Sequence, residues 1–434
     1  MHYYSTNNKS IKVSFREAVL KGLSNDGGLF MPVSVPSLGK DFIDNIESKS
    51  FQEIALEIAK GFVGDEIKES DLEKIISDSI NFDAPVVRLN DNHFILELFY
   101  GPTLAFKDFG ARFMARTFSY FNRNNDKELI ILVATSGDTG SAVANGFYLA
   151  EGIKVVILYP SGKISEIQEK QITTLDKNIT ALEIAGTFDD CQKLVKSAFV
   201  DKDINERLNL SSANSINIAR LIPQSFYYLN AFKQVKKFGK KIIFSIPSGN
   251  FGNLTAGLFA KEMGLKVERF IAAVNANKVF AEYLETGKLE SKPSITTLSN
   301  AMDVGNPNNF SRIVDLYKND LESIKKNIYA KSFDDDQTIS AIKEVYEKFN
   351  YVIDPHGAVG YLASKDFIEK YGEDNLIITL ETAHPSKFAD IVKSVLGIEI
   401  DIPERLKECL KKEKQSIRLS DKFSEVKNFL LSMN

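Results

Sequence analysis

Residues 129–159 read LIILVATSGDTGSAVANGFYLAEGIKVVILY, and the order of patterns within them decides the fold class. A continuous apolar run (129–134) passes through a glycine-rich turn into a helical pattern, and a second apolar run (154–159) follows at once. The same succession recurs where KIIFSI (241–246) enters another glycine-rich turn and then the helical LTAGLFAKEMG. Residues 180–184, 268–274 and 375–380 are further strand candidates. Apolar strands without alternation, separated by helices, indicate a parallel sheet buried on both faces. The fold class is therefore α/β, with right-handed crossovers. The first 90 residues differ: they carry the helical patterns FREAVLKGL and FQEIALEIAKGFV and no comparable strand run. The expected organisation is an N-terminal helical region (1–90), a small α/β domain (115–210) and a large one (91–114 and 211–434). The Lys/Glu-rich tail beyond 401 reads as a solvated helix.

Composition removes several classes of function. The chain has 434 residues, 44% hydrophobic and 26% charged, which is enough apolar material for a sizeable core and excludes a disordered chain. Its net charge of −4 excludes a global basic field, so no nucleic-acid partner is expected. The only cysteines, Cys191 and Cys409, exclude a disulfide framework and a cysteine zinc cluster. The four histidines show no metal-binding spacing, and no metal is expected. The apolar runs fall far short of the ~20 residues of a membrane span. The opening MHYYSTNNKS lacks the apolar core of a signal peptide, so a cytoplasmic setting is expected.

Three segments carry candidate chemistry. Lys107 lies in ELFYGPTLAFKDFGARFMA (97–115) among aromatic and apolar residues. A lysine held there loses solvation, its pKa falls, and the neutral amine needed for a Schiff base becomes accessible. On composition alone, a surface lysine at the edge of an amphipathic helix is the commoner reading. SGDTG (136–140) can hold an anion at a helix start or can be a plain capped turn. SGNFGN (248–253) can wrap a phosphate with backbone donors. It is not a Walker loop, because no GK[ST] follows, and Gly249, Gly252 and Gly257 miss the dinucleotide spacing. Arg220, in SSANSINIAR, is a guanidinium in a lysine-rich chain and suits an oxyanion, although a capped helix start explains the segment too. His356 in DPHGA and His384 in TAHPSKF read as ligands or as satisfied buried imidazoles.

Taken in order, GPTLAFKDFGARFMA, TSGDTGSAVANGF, YPSGKIS, SANSINIAR, PSGNFGNLTAG, LSNAMDVGNPNN and ETAHPSKF resemble the threonine synthases. The N-terminal VSFREAVLKGLSNDGGLFMP is similar to that family as well. The resemblance implies a fold-type-II pyridoxal-phosphate enzyme, tryptophan synthase β-like, with two parallel-sheet α/β domains. It implies that Lys107 bonds pyridoxal 5'-phosphate as a Schiff base and that Ser248, Gly249, Asn250, Phe251, Gly252 and Asn253 bind its phosphate. Thr382 would face the pyridine nitrogen, where a hydroxyl makes the ring a weaker electron sink than a carboxylate would. Asp138 would lie near the 3'-oxygen, where many relatives of the wider fold carry Asn. The implied reaction turns O-phospho-L-homoserine and water into L-threonine and phosphate. Thr135, Ser136 and Thr139 would take the substrate carboxylate, and Lys163, Asn214, Ser215 and Arg220 its phosphate. The rival readings are a phospho-lyase giving 2-oxobutyrate from the same substrate and a catalytically silent binding protein of the same fold. The oligomeric state is left open.

Overall fold

The computed structural model describes residues 1–123, 125, 127–372 and 374–433. Its large sheet has six strands in the order Ile328–Ser332, Arg269–Val274, Lys241–Pro247, Asn375–Glu381, His93–Glu97 and Val86–Arg88. All neighbours are parallel except the last pair. The small sheet is parallel throughout, in the order Ile417–Ser420, Ile179–Ala185, Ile153–Pro160, Leu129–Ala134 and Asn209–Ser211. Every residue of Leu129–Ala134 is buried, which is why the run shows no alternation. One apolar core continues from the N-terminal region through the inner faces of both sheets. The helix Lys107–Asn122 runs through that core, between the large sheet's His93–Glu97 and the small sheet's Leu129–Ala134.

The N-terminal helices form for local reasons. Ser50 and Glu53 close a capping box at the start of Phe51–Val63, and Gly64, at φ 62°, ends it. Ile54, Ile58 and Phe62 recur every four residues and bury one face, each contributing about 1.5–3 kcal/mol.

Two expectations are corrected. Residues 1–90 are not helical throughout: Lys12–Ser14, His2–Ser5 and Phe30–Pro32 form an antiparallel three-stranded sheet. Strands this short show no two-residue period in the sequence. The tail does not belong to the large unit either. Ile417–Ser420 pairs with Ile179–Ala185, and the helix Phe423–Leu431 buries Val426 and Leu430 in the outer core of the small sheet. Because Ile417–Ser420 is a half-exposed edge strand, its IRLS reads as polar surface. Among the described residues, no helix is long and apolar enough to cross a membrane, and no cluster of metal-binding side chains occurs.

Candidate active site

Sheet pairing continues past the strand ends and sets the position of Lys107. His93–Glu97 and Asn375–Glu381 run side by side, and residues 104–106 return to meet 382–384. The Phe106 N–H donates to the Thr382 carbonyl at 2.9 Å, and the His384 N–H donates to the Leu104 carbonyl at 3.0 Å. Leu104 takes a left-handed φ of 58° to make the return. Lys107 is then the first residue of its helix, half-buried beside Thr382. Burial pulls its amine down to about 8; the Asp138 charge opposes this, and the Lys387 and Arg220 charges add to it.

The SGDTG turn is braced from within. Thr135 Oγ1 accepts the N–H groups of Gly137 at 3.0 Å and Gly140 at 2.8 Å, and donates to the Gly137 carbonyl. Gly137 has φ 134°, and a Cβ there would lie 2.4 Å from Gln168 Cδ, so only glycine fits. Asp138 opens the helix Asp138–Phe147, buried and paired with Lys387 Nζ at 2.6 Å. Gln168 Nε2 donates to the same oxygen at 3.0 Å. Burial works to raise the Asp138 carboxyl, but the charges of Lys387 and Lys107 hold it well below the usual carboxylate range. Lys387 also donates to the Thr103 carbonyl, while Asp108 accepts from Thr103 N–H and Oγ1, so the loop before Lys107 is tied to both. Ser136 and Thr139 stand half-exposed at the rim.

The SGNFGN turn is built differently. Phe251 adopts a left-handed φ of 58°, its ring centroid 4.6 Å from that of Phe280, and the helix Gly252–Glu262 starts with no side-chain cap. Ser248 Oγ donates to the Ile246 carbonyl, and Asn253 Nδ2 to the Pro247 carbonyl, at 2.8 Å each. Asn250 Nδ2 donates to Ser215 Oγ at 2.6 Å, and its Oδ1 accepts the Asn308 N–H at 2.6 Å. These side chains hold the loop, and Asn253 Oδ1 takes the Leu254 N–H at 3.0 Å, which leaves the N–H groups of Gly252 and Asn253 for an anion. A Cβ on Gly252 would lie 3.6 Å from Asn309 Nδ2 and 3.7 Å from Gln224 Nε2, in ordinary contact with a polar lining that Ser215 completes. Behind the loop, the buried Arg312 donates to Asn309 Oδ1 at 2.7 Å and to the Phe30 and Ile216 carbonyls, all neutral acceptors. Its guanidinium adds an uncompensated positive charge. A helix start with two free N–H groups and no acidic residue, a glycine against polar side chains and a half-buried lysine of lowered pKa together fit a phosphorylated aldehyde such as pyridoxal phosphate.

Arg220 lies against the helix of Lys107, where a Cβ on Gly110 would come within 3.0 Å of its Nε. One guanidinium nitrogen donates to the Ala213 carbonyl at 2.7 Å, while Nε is buried without a partner, as is Asn214 Oδ1. Ser215 sits between Asn250 and Asn309 at the edge of the same space. Lys163 is not brought to them. It is exposed in the turn before the helix Glu166–Thr173, and Asp190 is its charged neighbour. His93 and His384 are satisfied imidazoles: His93 Nε2 meets Thr379 Oγ1 at 2.8 Å, and His384 Nδ1 accepts the Ser386 N–H. Burial pulls both down to about 4. Lys387, Gln168, Asp108 and Arg312 join the site although the sequence did not single them out. Lys387 had a signal, since it lies within the quoted TAHPSKF.

Three family models match the chain: threonine synthase N terminus over residues 2–80, pyridoxal-phosphate dependent enzyme over 82–381, and threonine synthase, C-terminal, over 357–430. Threonine synthase from Buchnera aphidicola subsp. Baizongia pistaciae is 42% identical over 433 residues, covering 99% of this chain and 100% of that protein. The crystal structure of threonine synthase from Escherichia coli superposes with a TM-score of 0.93 at 41% identity, covering 100% of both chains. The pyridoxal-phosphate-bound threonine synthase from Brucella melitensis gives a TM-score of 0.93 at 34% identity, covering 99% of this chain and 98% of that one.

Proposed function

The chain belongs to the threonine synthase family and is a pyridoxal-phosphate-dependent lyase of threonine biosynthesis; on that premise we propose that its Lys107 site converts O-phospho-L-homoserine and water to L-threonine and phosphate. The observation that carries this reading is a pair of anion-binding donor sets beside one lysine. The uncapped start of Gly252–Glu262 suits the cofactor phosphate, and the unpartnered Arg220 Nε, with Asn214 and Ser215, suits the substrate phosphate. When bound, pyridoxal phosphate supplies an aldehyde that condenses with an amine and a ring that withdraws electron density from the substrate α-carbon.

The chain's residues do the rest. With its amine lowered to about 8, Lys107 has a substantial neutral fraction at mildly alkaline pH and takes the proton from the substrate Cα. A Cβ proton leaves as the Cγ–O bond to phosphate breaks, Cγ gains a proton to become the methyl group, and after water has added at Cβ Lys107 returns a proton to Cα. Arg220 holds the γ-phosphate as it departs, a bidentate fork on a dianion. Ser136, Thr139 and the backbone N–H groups beside them receive the substrate carboxylate. Thr135 braces that turn through the hydrogen bonds its hydroxyl already makes. Thr382 offers the ring nitrogen an uncharged hydroxyl, and Asp138 stays ionised beside Lys387. The test is direct: phosphohomoserine is added to the holoenzyme, and threonine, phosphate and 2-oxobutyrate are quantified. Threonine and phosphate in equal amounts are expected; 2-oxobutyrate as the main product would make the enzyme a phospho-lyase.

A further inference from the structure

The stretch DPHGA has no part in the site described so far, yet it forms a directional chain of hydrogen bonds. Asp354 caps the helix Pro355–Tyr371, its Oδ1 accepting the His356 N–H at 2.7 Å. The same oxygen lies 2.5 Å from His356 Nδ1. His356 Nε2 accepts the Ala301 backbone N–H at 3.2 Å, so Nδ1 carries the proton and donates to Asp354. On the other side Glu381, the last residue of its strand, accepts the Asp354 N–H on Oε1 at 2.6 Å. Two oxygens are left over: Asp354 Oδ2 and Glu381 Oε2, both buried without a donor. The Asp354 N–H bond to Glu381 brings the two fully buried carboxyl groups together. Two buried carboxylates in contact cannot both ionise, and one shared proton satisfies both orphaned oxygens. Glu97, the nearest other carboxylate, already accepts from Tyr100 and Tyr351 hydroxyls at 2.7 and 2.8 Å. Gly357 makes room for the pair, since a Cβ there would lie 1.6 Å from Glu381 Oε2.

We propose that Glu381, Asp354 and His356 form a positioning relay in which a protonated Glu381 and the His356 Nδ1–H both donate to an ionised Asp354, holding residues 301–302 and 382 against the two ends of the pyridoxal-phosphate site. At one end, Ala301 and Met302 press on the phosphate turn, where a Cβ on Gly249 would lie 2.8 Å from Met302 Cα. At the other, Thr382 directly follows Glu381 and accepts the N–H of the residue before Lys107. Burial and the adjacent Asp354 charge push the Glu381 carboxyl well up, in accord with that proton. The proposal rests on the reading of 248–253 and Thr382 as cofactor contacts.

Infrared spectroscopy of the holoenzyme tests the proton, and equilibrium dialysis of pyridoxal phosphate tests the positioning. A protonated carboxylic acid band is expected at neutral pH and is lost in Glu381→Gln. That variant still donates to Asp354 and should retain the cofactor within about threefold, whereas Glu381→Leu weakens retention by about tenfold or more. Should Glu381→Leu fail to fold, His356→Leu keeps the carboxyl pair, removes only the link to Ala301, and should lose retention to a similar degree. A band that is absent from the parent enzyme, or that survives in Glu381→Gln, overturns the proposal. So does equal loss of cofactor in the Gln and Leu variants, or unchanged retention in both Leu variants. Failure of the cofactor-site reading shows separately, as Gly252→Asp leaving pyridoxal-phosphate retention unchanged.

Discussion

In the small sheet, the strand Leu129–Ala134 turns through Gly137 into a helix whose first residue is the buried carboxylate Asp138. In the large sheet, Lys241–Pro247 turns through Phe251 into a helix whose first turn has no side-chain cap. Both are strand–turn–helix units of parallel sheets, and both are rich in glycine. They differ in the charges set beside the turn. Thr135 takes the N–H groups of Gly137 and Gly140, and the first turn carries a negative group, Asp138, which Lys387 neutralises. In the second turn Asn253 Oδ1 takes the Leu254 N–H, no acidic residue stands in the first helical turn, and the neutral-bonded cation Arg312 lies behind it. The two turns thus differ in the charge set at the helix start, acidic in one and not in the other, and glycine content alone does not distinguish them.

The contrast can be broken from either side. The largest effect is expected on the first turn. Lys387→Met leaves Asp138 buried without its ion-pair partner and should lower stability by about 3–5 kcal/mol in urea unfolding. A loss under about 1 kcal/mol would mean that the pair is not buried as described. Next comes the second turn. Gly252→Asp writes into it the charge that the first turn carries, at a helix start where an acidic residue is favourable. The apoenzyme should melt where the parent does, while pyridoxal-phosphate retention falls about 100-fold, or about 2.7 kcal/mol. Thr135→Val removes the acceptor for two N–H groups and should cost about 1–2 kcal/mol by the same urea measurement. The amine between the turns gives the smallest effect. Lys107 is protonated below about 8 and neutral above it, so capture of pyridoxal phosphate by the apoenzyme should quicken about tenfold from pH 7 to pH 9. A rise of about a hundredfold across that range would put the amine's pKa near its ordinary value.

How much of this was legible beforehand follows from burial. Central parallel strands such as Leu129–Ala134 and Asn375–Glu381 are covered on both faces, so they read as unbroken apolar runs. His93–Glu97 is equally buried but was not anticipated. Its ends are polar groups satisfied at a distance, His93 by Thr379 and Glu97 by Tyr100 and Tyr351. The three-residue N-terminal strands and the edge strand Ile417–Ser420 carry too little pattern to be seen. Lys107, Arg220 and both glycine-rich turns were visible because their chemistry lies in residue type and local order. Lys387 and Arg312 were not, because what makes them matter is a partner remote in sequence: Asp138 for one, and Phe30 and Ile216 for the other. Lys163, chosen for its charge, is exposed beside Asp190.

Two lysines, the half-buried Lys107 and the buried Lys387, share the charge of Asp138, and the cofactor belongs to the first of them alone. Borohydride reduction of the holoenzyme, followed by proteolysis and mass mapping, separates them. A pyridoxyl mass on the peptide carrying Lys107, with Lys387 unmodified, is the expected result. The same mass on Lys387, or on neither, would contradict the account at its centre.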